Sequence, residues 1–228
     1  KSSAMEFLRN LKNKTKGDVA RVGGKGASLG EMIRAGLPVP PGFVILAPAY
    51  GKFLKEKKMP KDVSEEIKKA FKKLGAKKVA VRSSATAEDL PGASFAGQQE
   101  TYLNVRGISN VLLATKKCIA SLFTDRAISY RTDKGFSHFD AALSVGIQCM
   151  VRSDLSSSGV AFTIDTETGF DKVIVINGIY GLGEFIVQGE VIPDEFIIFK
   201  PALENGSKNP VIGRNIGKKN IKLVYAKN

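Results

Sequence analysis

Between Val79 and Thr101 the chain passes from an apolar run into a long stretch of small, hydroxylic and acidic residues, and few architectures accommodate that passage. Val79-Ala80-Val81 reads as a buried strand. It delivers Arg82 into Ser83-Ser84-Ala85-Thr86-Ala87-Glu88-Asp89-Leu90-Pro91, which continues through Ala93-Ser94-Phe95-Ala96-Gly97-Gln98-Gln99-Glu100-Thr101. Such a segment makes a poor core. It makes a good anion site, because small residues let backbone N–H groups approach a phosphate and arginine offers a planar fork of donors. On these residues alone a surface turn with a solvated arginine is an equal alternative.

The rest of the chain limits what that site can belong to. With 228 residues, 43% of them hydrophobic, the chain can bury a sizeable core as one large domain or two lobes. No apolar run reaches the ~18 residues of a membrane span, and the N-terminal residues do not read as a signal peptide. Cys118 and Cys149 sit in apolar contexts and form no disulfide framework, so inert buried thiols and a reducing cytoplasm are expected. The net charge of +13, from 35 basic and 22 acidic residues, raises nucleic-acid binding as a possibility. Its distribution argues against it. The lysines of 52–61, 68–78 and 218–227 alternate with apolar residues as on a solvated face, and no nucleic-acid motif accompanies them. A basic field would still attract an anionic ligand.

The periodicities predict a mixed α+β chain. Lys1 to Lys16 reads as a frayed helix or a foreign leader. A helix from about Gly26 turns Ala27, Leu29, Met32 and Ile33 inward and ends at Gly36, with Pro38 beyond. Phe43 to Leu46 is a strand, and a helix follows near Ala49. Another opens at Asp62 with Glu65 at capping-box spacing, buries Ile67, Ala70, Phe71 and Leu74, and stops at Gly75. A longer helix is expected from Ser109 to Tyr130. Strands are expected at Ala141–Val151, Gly159–Ile164, Val173–Asn177, Glu195–Phe199 and Ile221–Tyr225. The change from helix-rich to strand-rich places a lobe boundary at 148/149, and nucleotide clefts commonly lie at such junctions.

Four further places can carry chemistry. Lys25, in Gly23-Gly24-Lys25-Gly26 before a helix, can bring backbone N–H groups and a point charge onto phosphate oxygens. The spacing is not that of a Walker A loop, and a plain glycine-rich helix start with an exposed lysine is the stronger reading of the residues alone. Glu184, in Gly181-Leu182-Gly183-Glu184, offers a carboxylate that can accept hydrogen bonds or ligate a hard cation, although glycines before an acid also make an ordinary turn. Asp165 and Glu167 offer hard oxygen ligands, but a solvated turn is the preferred reading. His138, the single histidine, lies in Gly135-Phe136-Ser137-His138-Phe139, a context that fits a surface or helix-end residue.

An ordered series of segments resembles one family. Val22-Gly23-Gly24-Lys25-Gly26-Ala27-Ser28-Leu29-Gly30-Glu31-Met32 is followed by Val39-Pro40-Pro41-Gly42-Phe43, the 79–101 segment, and Arg126-Ala127-Ile128-Ser129-Tyr130-Arg131. Then come Met150-Val151-Arg152-Ser153-Asp154, Ser158-Gly159-Val160-Ala161-Phe162, Ile164-Asp165-Thr166-Glu167-Thr168-Gly169-Phe170, and Gly181-Leu182-Gly183-Glu184 with Val187-Gln188-Gly189. Together they resemble the N-terminal ATP-binding domain of the phosphoenolpyruvate synthase and pyruvate phosphate dikinase family, from about Asp18 to about Tyr225.

The resemblance implies a two-lobed ATP-grasp fold, with 1–148 carrying Lys25 and Arg82 and 149–228 forming a strand-rich second lobe. It implies ATP with Mg²⁺, a phosphoryl passed to a histidine on another domain and then to pyruvate, and AMP, phosphate and phosphoenolpyruvate as products. His138 does not resemble that histidine's motif. Lys25 and Arg82 correspond to phosphate-contacting residues, Arg82 at the end of its strand. Gly97-Gln98-Gln99-Glu100-Thr101 corresponds to a loop closing over the phosphates, which as plain sequence is a hairpin loop. Gln148, Met150 and Val151 fall where an inter-lobe hinge borders adenine, with strand core an equal reading for Met150. The family's lobe ends in an acidic strand and a Gln-Ala-Arg-Pro segment that supply Mg²⁺ ligands, and neither precedes Asn228. Residues between Phe43 and Val79 are also fewer than in typical members. The expectation is therefore a lobe truncated at the C terminus, inactive alone, with metal ligands unassigned, needing the phosphohistidine and pyruvate-binding domains of the same polypeptide as partners. Neither a nucleic-acid nor a membrane partner is expected, and apolar surface left open invites a homo-oligomer. A related dikinase-type phosphotransferase, such as a rifampin phosphotransferase, and a non-catalytic ATP-binding module are the alternatives.

Overall fold

The computed structural model describes residues 8–11, 19–85, 100–123, 129 and 143–226. The chain divides into two compact units, Lys1–Met150 and Val151–Asn228. The expected mixture of helix and sheet is present, with one sheet of five strands and one of four.

The first unit is built on strands β1 (Leu8–Asn10), β2 (Gly42–Ile45), β3 (Val79–Ala85), β4 (Thr101–Val105) and β5 (Leu143–Cys149). Their order is β1-β2-β5-β3-β4, with every neighbouring pair antiparallel. Helices α1 (Val19–Arg34), α2 (Ala47–Glu56), α3 (Lys61–Leu74) and α4 (Ile108–Ala120) cover it.

Side-chain alternation along β5, the central strand, divides the unit. Leu143, Val145 and Ile147 join Phe43, Ile45, Val79 and Val81 in a core closed by Tyr50 of α2, Val63 and Ile67 of α3, and Val111 and Cys118 of α4. The intervening Ser144, Gly146 and Gln148 turn to the opposite face. There a smaller cluster of Leu11, Val22, Ala27, Val44 and Leu46 packs under α1. The apolar side of β5 thus serves stability, while the side made of serine, glycine and glutamine is left for other work.

Several local expectations hold. Gly36 (φ 81°) ends α1, with Gly36 N–H donating to Ile33 O and Leu37 N–H to Met32 O, a Schellman arrangement. Gly75 ends α3 in the left-handed region. Others need correction. Leu8–Asn10 is an edge strand on β2, not frayed helix, because its alternation matches Phe43 and Ile45. Met32 is exposed, since it lies off the stripe of Val22, Gly26, Ala27 and Ile33. The capping box does not form: Pro60 is the N-cap, so Asp62 sits inside the first turn beside Lys52, and Glu65 accepts from Lys68 instead. The helix opening at Ile108 gives way after Ala120 to a 3-10 turn, Ser121–Phe123; of the expected remainder to Tyr130 only Ser129, which is helical, is among the described residues. His138 lies outside the described residues.

The second unit is an antiparallel meander of β6 (Ser157–Phe162), β7 (Val173–Tyr180), β8 (Asp194–Phe199) and β9 (Val211–Asn215), with two short helices, α5 (Glu184–Gln188) and α6 (Lys200–Glu204). Val173, Val175 and Ile179 share one face with Ile197 and Phe199, while Ile174 and Ile176 share the other with Phe196 and Ile198. Both faces are therefore apolar, yet most of these side chains are only half-buried. Ile221–Tyr225 is not a strand. Leu223 forms a lone parallel bridge to Gly181, whose φ of 79° and contact with the Leu223 backbone leave no room for a side chain. Lys200 of α6 ties the ends of the β6–β7 connection by donating to Thr163 O and, at 2.6 Å, to Asp171 O.

Candidate functional site

Two of the predicted residues meet on the α1 face of the first sheet. The helical run of α1 is broken at Gly23, whose φ 72° and ψ 166° are not helical. A side chain there would collide with the hydroxyl groups of Ser84 and Ser144, so glycine is required both for its φ and for its lack of Cβ. The break carries Lys25 onto β3. Lys25 N–H donates to Ser84 Oγ at 3.2 Å, and Lys25 Nζ approaches Ser83 O at 3.4 Å.

Arg82 lies within β3 and not at its end, because Ser83, Ser84 and Ala85 continue the ladder opposite Val145, Ser144 and Leu143. The hydroxyls of a Ser-Ser pair read as the start of a loop, but the β5 register keeps the strand going. Arg82 is exposed and stands opposite Gly146 of β5 on one side and Thr101 of β4 on the other. Arg82, Lys25, Ser84, Ser144, Gly146 and Gln148 line one recess of about 30 Å³. Two cations and a helix beginning thus meet at one recess that is otherwise lined by Leu11, Val22, Leu29, Val44 and Ile147, an arrangement that can take an anionic group.

The other candidates are placed as follows. Thr101 opens β4 as the cross-strand neighbour of Arg82. Gly97, Gln98 and Gln99 lie outside the described residues. Gln148 is buried, and its side-chain amide donates to Pro40 O at 3.0 Å. Its backbone lies between Gly42 of β2 and Ala80 of β3. Met150 N–H donates to Lys78 O, so that backbone donor is also engaged. Val151 is 60% exposed. Glu184 opens α5 of the second unit and is exposed.

Asp165 is used locally. Its carboxylate accepts from Glu167 N–H at 2.9 Å and from Thr168 Oγ1 at 2.8 Å, and the latter bond draws its pKa below the ordinary aspartate value. Among the described residues no group of three acids, cysteines or histidines is gathered as for a metal ion. Cys118 is buried, and desolvation pushes its thiol up to about 12, as expected of an inert core cysteine. Burial also raises the Cys149 thiol.

Comparison with known proteins shows the family. The sequence pattern of the family described as "Pyruvate phosphate dikinase, AMP/ATP-binding domain" matches residues 19–59 and 52–228. The chain belongs to this family. It is 49% identical to a phosphoenolpyruvate synthase of Aquifex aeolicus over 91% of this chain and 29% of that protein. Identity is 46% to the phosphoenolpyruvate synthase of Pseudomonas aeruginosa, over 97% of this chain and 33% of the relative. It is also 46% to that of Escherichia coli, over 92% and 32%. The chain therefore spans about a third of the length of these relatives.

Sequence reading did not single out Ser84 and Ser144 as separate contributors. One signal was present. In Ser144-Val145-Gly146-Ile147-Gln148 every second residue is small or polar, the pattern of a strand whose one face is not core.

Proposed function

We propose that this chain is the ATP-binding, phosphoryl-donor part of a phosphoenolpyruvate synthase. The observation that carries the reading is 44–49% identity to relatives of that name over 91–97% of the chain. The meeting of Lys25 and Arg82 in one recess supports it chemically. The whole polypeptide would convert ATP, pyruvate and water to AMP, phosphoenolpyruvate and phosphate through a histidine on another domain.

In this reading Lys25 and Arg82 bind the polyphosphate. Lys25 contributes a compact charge, and Arg82 a planar fork of donors that neutralises charge on the transferring group. Thr101 lies beside Arg82, and Gly97, Gln98 and Gln99, which lie outside the described residues, would contribute contacts to the phosphates. Gln148, Met150 and Val151 border adenine. Gln148's side chain is engaged on Pro40 and Met150 N–H on Lys78, so the contacts to the base fall to other groups of Met150 and Val151. Glu184 receives the ribose or the adenine amino group. Mg²⁺ carried by the nucleotide would add charge neutralisation beside Lys25 and Arg82. The fold is a two-lobed ATP-grasp type, with lobes 1–148 and 149–228. The family description also names pyruvate phosphate dikinase, so a dikinase with a different second acceptor is the competing assignment.

The test is calorimetric titration of the chain with ATP and Mg²⁺, beside Arg82→Ala and Lys25→Met. Saturable binding that weakens at least tenfold in each variant is expected, as loss of a charge-assisted contact costs about 1.5–3 kcal/mol. Equal affinity in wild type and Arg82→Ala would remove the polyphosphate from this recess.

A further inference from the structure

At the break in α1 the helical hydrogen-bond ladder is interrupted, and two serine hydroxyls take hold of backbone groups on either side of it. Ser144 Oγ, 1% exposed, lies 2.6 Å from Val22 O and 3.2 Å from Ser84 O. A hydroxyl has one proton, and the shorter contact marks Val22 O as its main acceptor. Ser84 Oγ, 3% exposed, accepts from Lys25 N–H. Ser144 thereby ties the residue before Gly23 to β5, and Ser84 ties Lys25 to β3, two positions from Arg82. Gly23 fits between the two hydroxyls. Neither serine belongs to the apolar core on the far side of the sheet.

We infer that Ser84 and Ser144 are positioning residues for nucleotide phosphates: they fix the Gly23–Lys25 backbone against β3 and β5 so that Lys25 is presented in the same recess as Arg82. The inference rests on the nucleotide-site reading above. It differs from that reading in assigning phosphate affinity to two buried neutral side chains that need not touch the ligand. A flexible lysine on an untethered loop would have to be ordered at each binding event, and that entropy would be subtracted from affinity. Arg82, carried by a strand paired on both sides, needs no such tether.

The experiment uses the 228-residue chain and the variants Ser84→Ala, Ser144→Ala and Arg82→Gln. Affinities for ATP with Mg²⁺, tripolyphosphate and adenosine are measured by calorimetry. Backbone hydrogen exchange across residues 22–26 is followed without ligand, and unfolding by urea reports global stability. Each serine variant is expected to weaken ATP and tripolyphosphate roughly tenfold, leave adenosine affinity unchanged, and speed exchange at Lys25 more than in β3 or β5.

Weakening of all three ligands in proportion to lost stability would assign the serines a purely structural role and overturn the inference. So would unchanged exchange at Lys25 in Ser84→Ala. If Arg82→Gln weakens ATP while the serine variants do not, the tether fails and the site stands. If Arg82→Gln is silent, or the folded wild type does not bind, the site reading fails and the inference with it.

Discussion

Arg82 and Gly23 show how much can rest on single residues. Arg82 is exposed but held within a strand paired on both sides, so replacing it should alter ligand binding and little else. Arg82→Gln is expected to lose at least tenfold in ATP affinity while its unfolding free energy in urea stays within about 0.5 kcal/mol of wild type. Titration and unfolding on the same preparation check both halves. Gly23→Ala should do the reverse of a surface change. It places a Cβ against Ser84 and Ser144 at a φ of 72°, combining left-handed strain with overpacking. A destabilisation of about 2 kcal/mol or more is expected, together with loss of ATP binding. Cys118, with its thiol at about 12, should resist a thiol reagent at pH 8 until the chain is unfolded, which a labelling time course read by mass spectrometry would show.

Among the elements, α3 was legible because its apolar residues recur at helical spacing and Gly75 ends it in the left-handed region. The face it buries is centred on Val63 and Ile67, at 2% and 0% exposure. Ile67→Ala should cost about 2–5 kcal/mol in urea unfolding, whereas Leu113→Ala, at a position 50% exposed on α4, should change it little. The elements that escaped sequence reading are short or depend on a partner. Leu8–Asn10 is a strand only because β2 lies beside it, and Val211–Asn215 only because β8 does. Leu223 has the apolar pattern of a strand but a single bridge, to Gly181, as its pairing. Strand character in such places is a property of the pair and not of the segment.

At the scale of the whole molecule, charge and uncovered apolar surface govern behaviour in solution. With a net charge of +13, the chain should bind ATP progressively more weakly as salt rises from about 0.05 to 0.5 M, because screening shortens the reach of the basic field. In the second unit both faces of the sheet are apolar, and Phe162, Ile212, Ile216 and Ile221 are 43–69% exposed. Concentration-dependent self-association is expected by sedimentation velocity.

The same unit contains an acid-sensitive tie. Lys219, bonded to Asp194, holds that carboxyl below the ordinary aspartate range. A depressed folded pKa contributes stability above the unfolded value that is lost as pH falls through the folded one. Asp194→Asn should therefore destabilise the chain at pH 7 and be nearly neutral well below about pH 4, as thermal unfolding at the two pH values would reveal.

Family membership was legible in the sequence through the ordered series of segments that resembles the family, and the match over residues 19–59 and 52–228 bears it out; on the residues alone, Lys25 and Arg82 carried only the local signals of a glycine-rich helix start and of a strand running into small residues. That these two cations share a recess was not legible, because Lys25 and Ser84 are 59 positions apart and meet only through the β3–β5 register and the break at Gly23. Ser84 and Ser144 carried no local signal strong enough to separate them from ordinary strand serines. Their importance comes from which backbone groups lie beside them, and tertiary packing alone decides that.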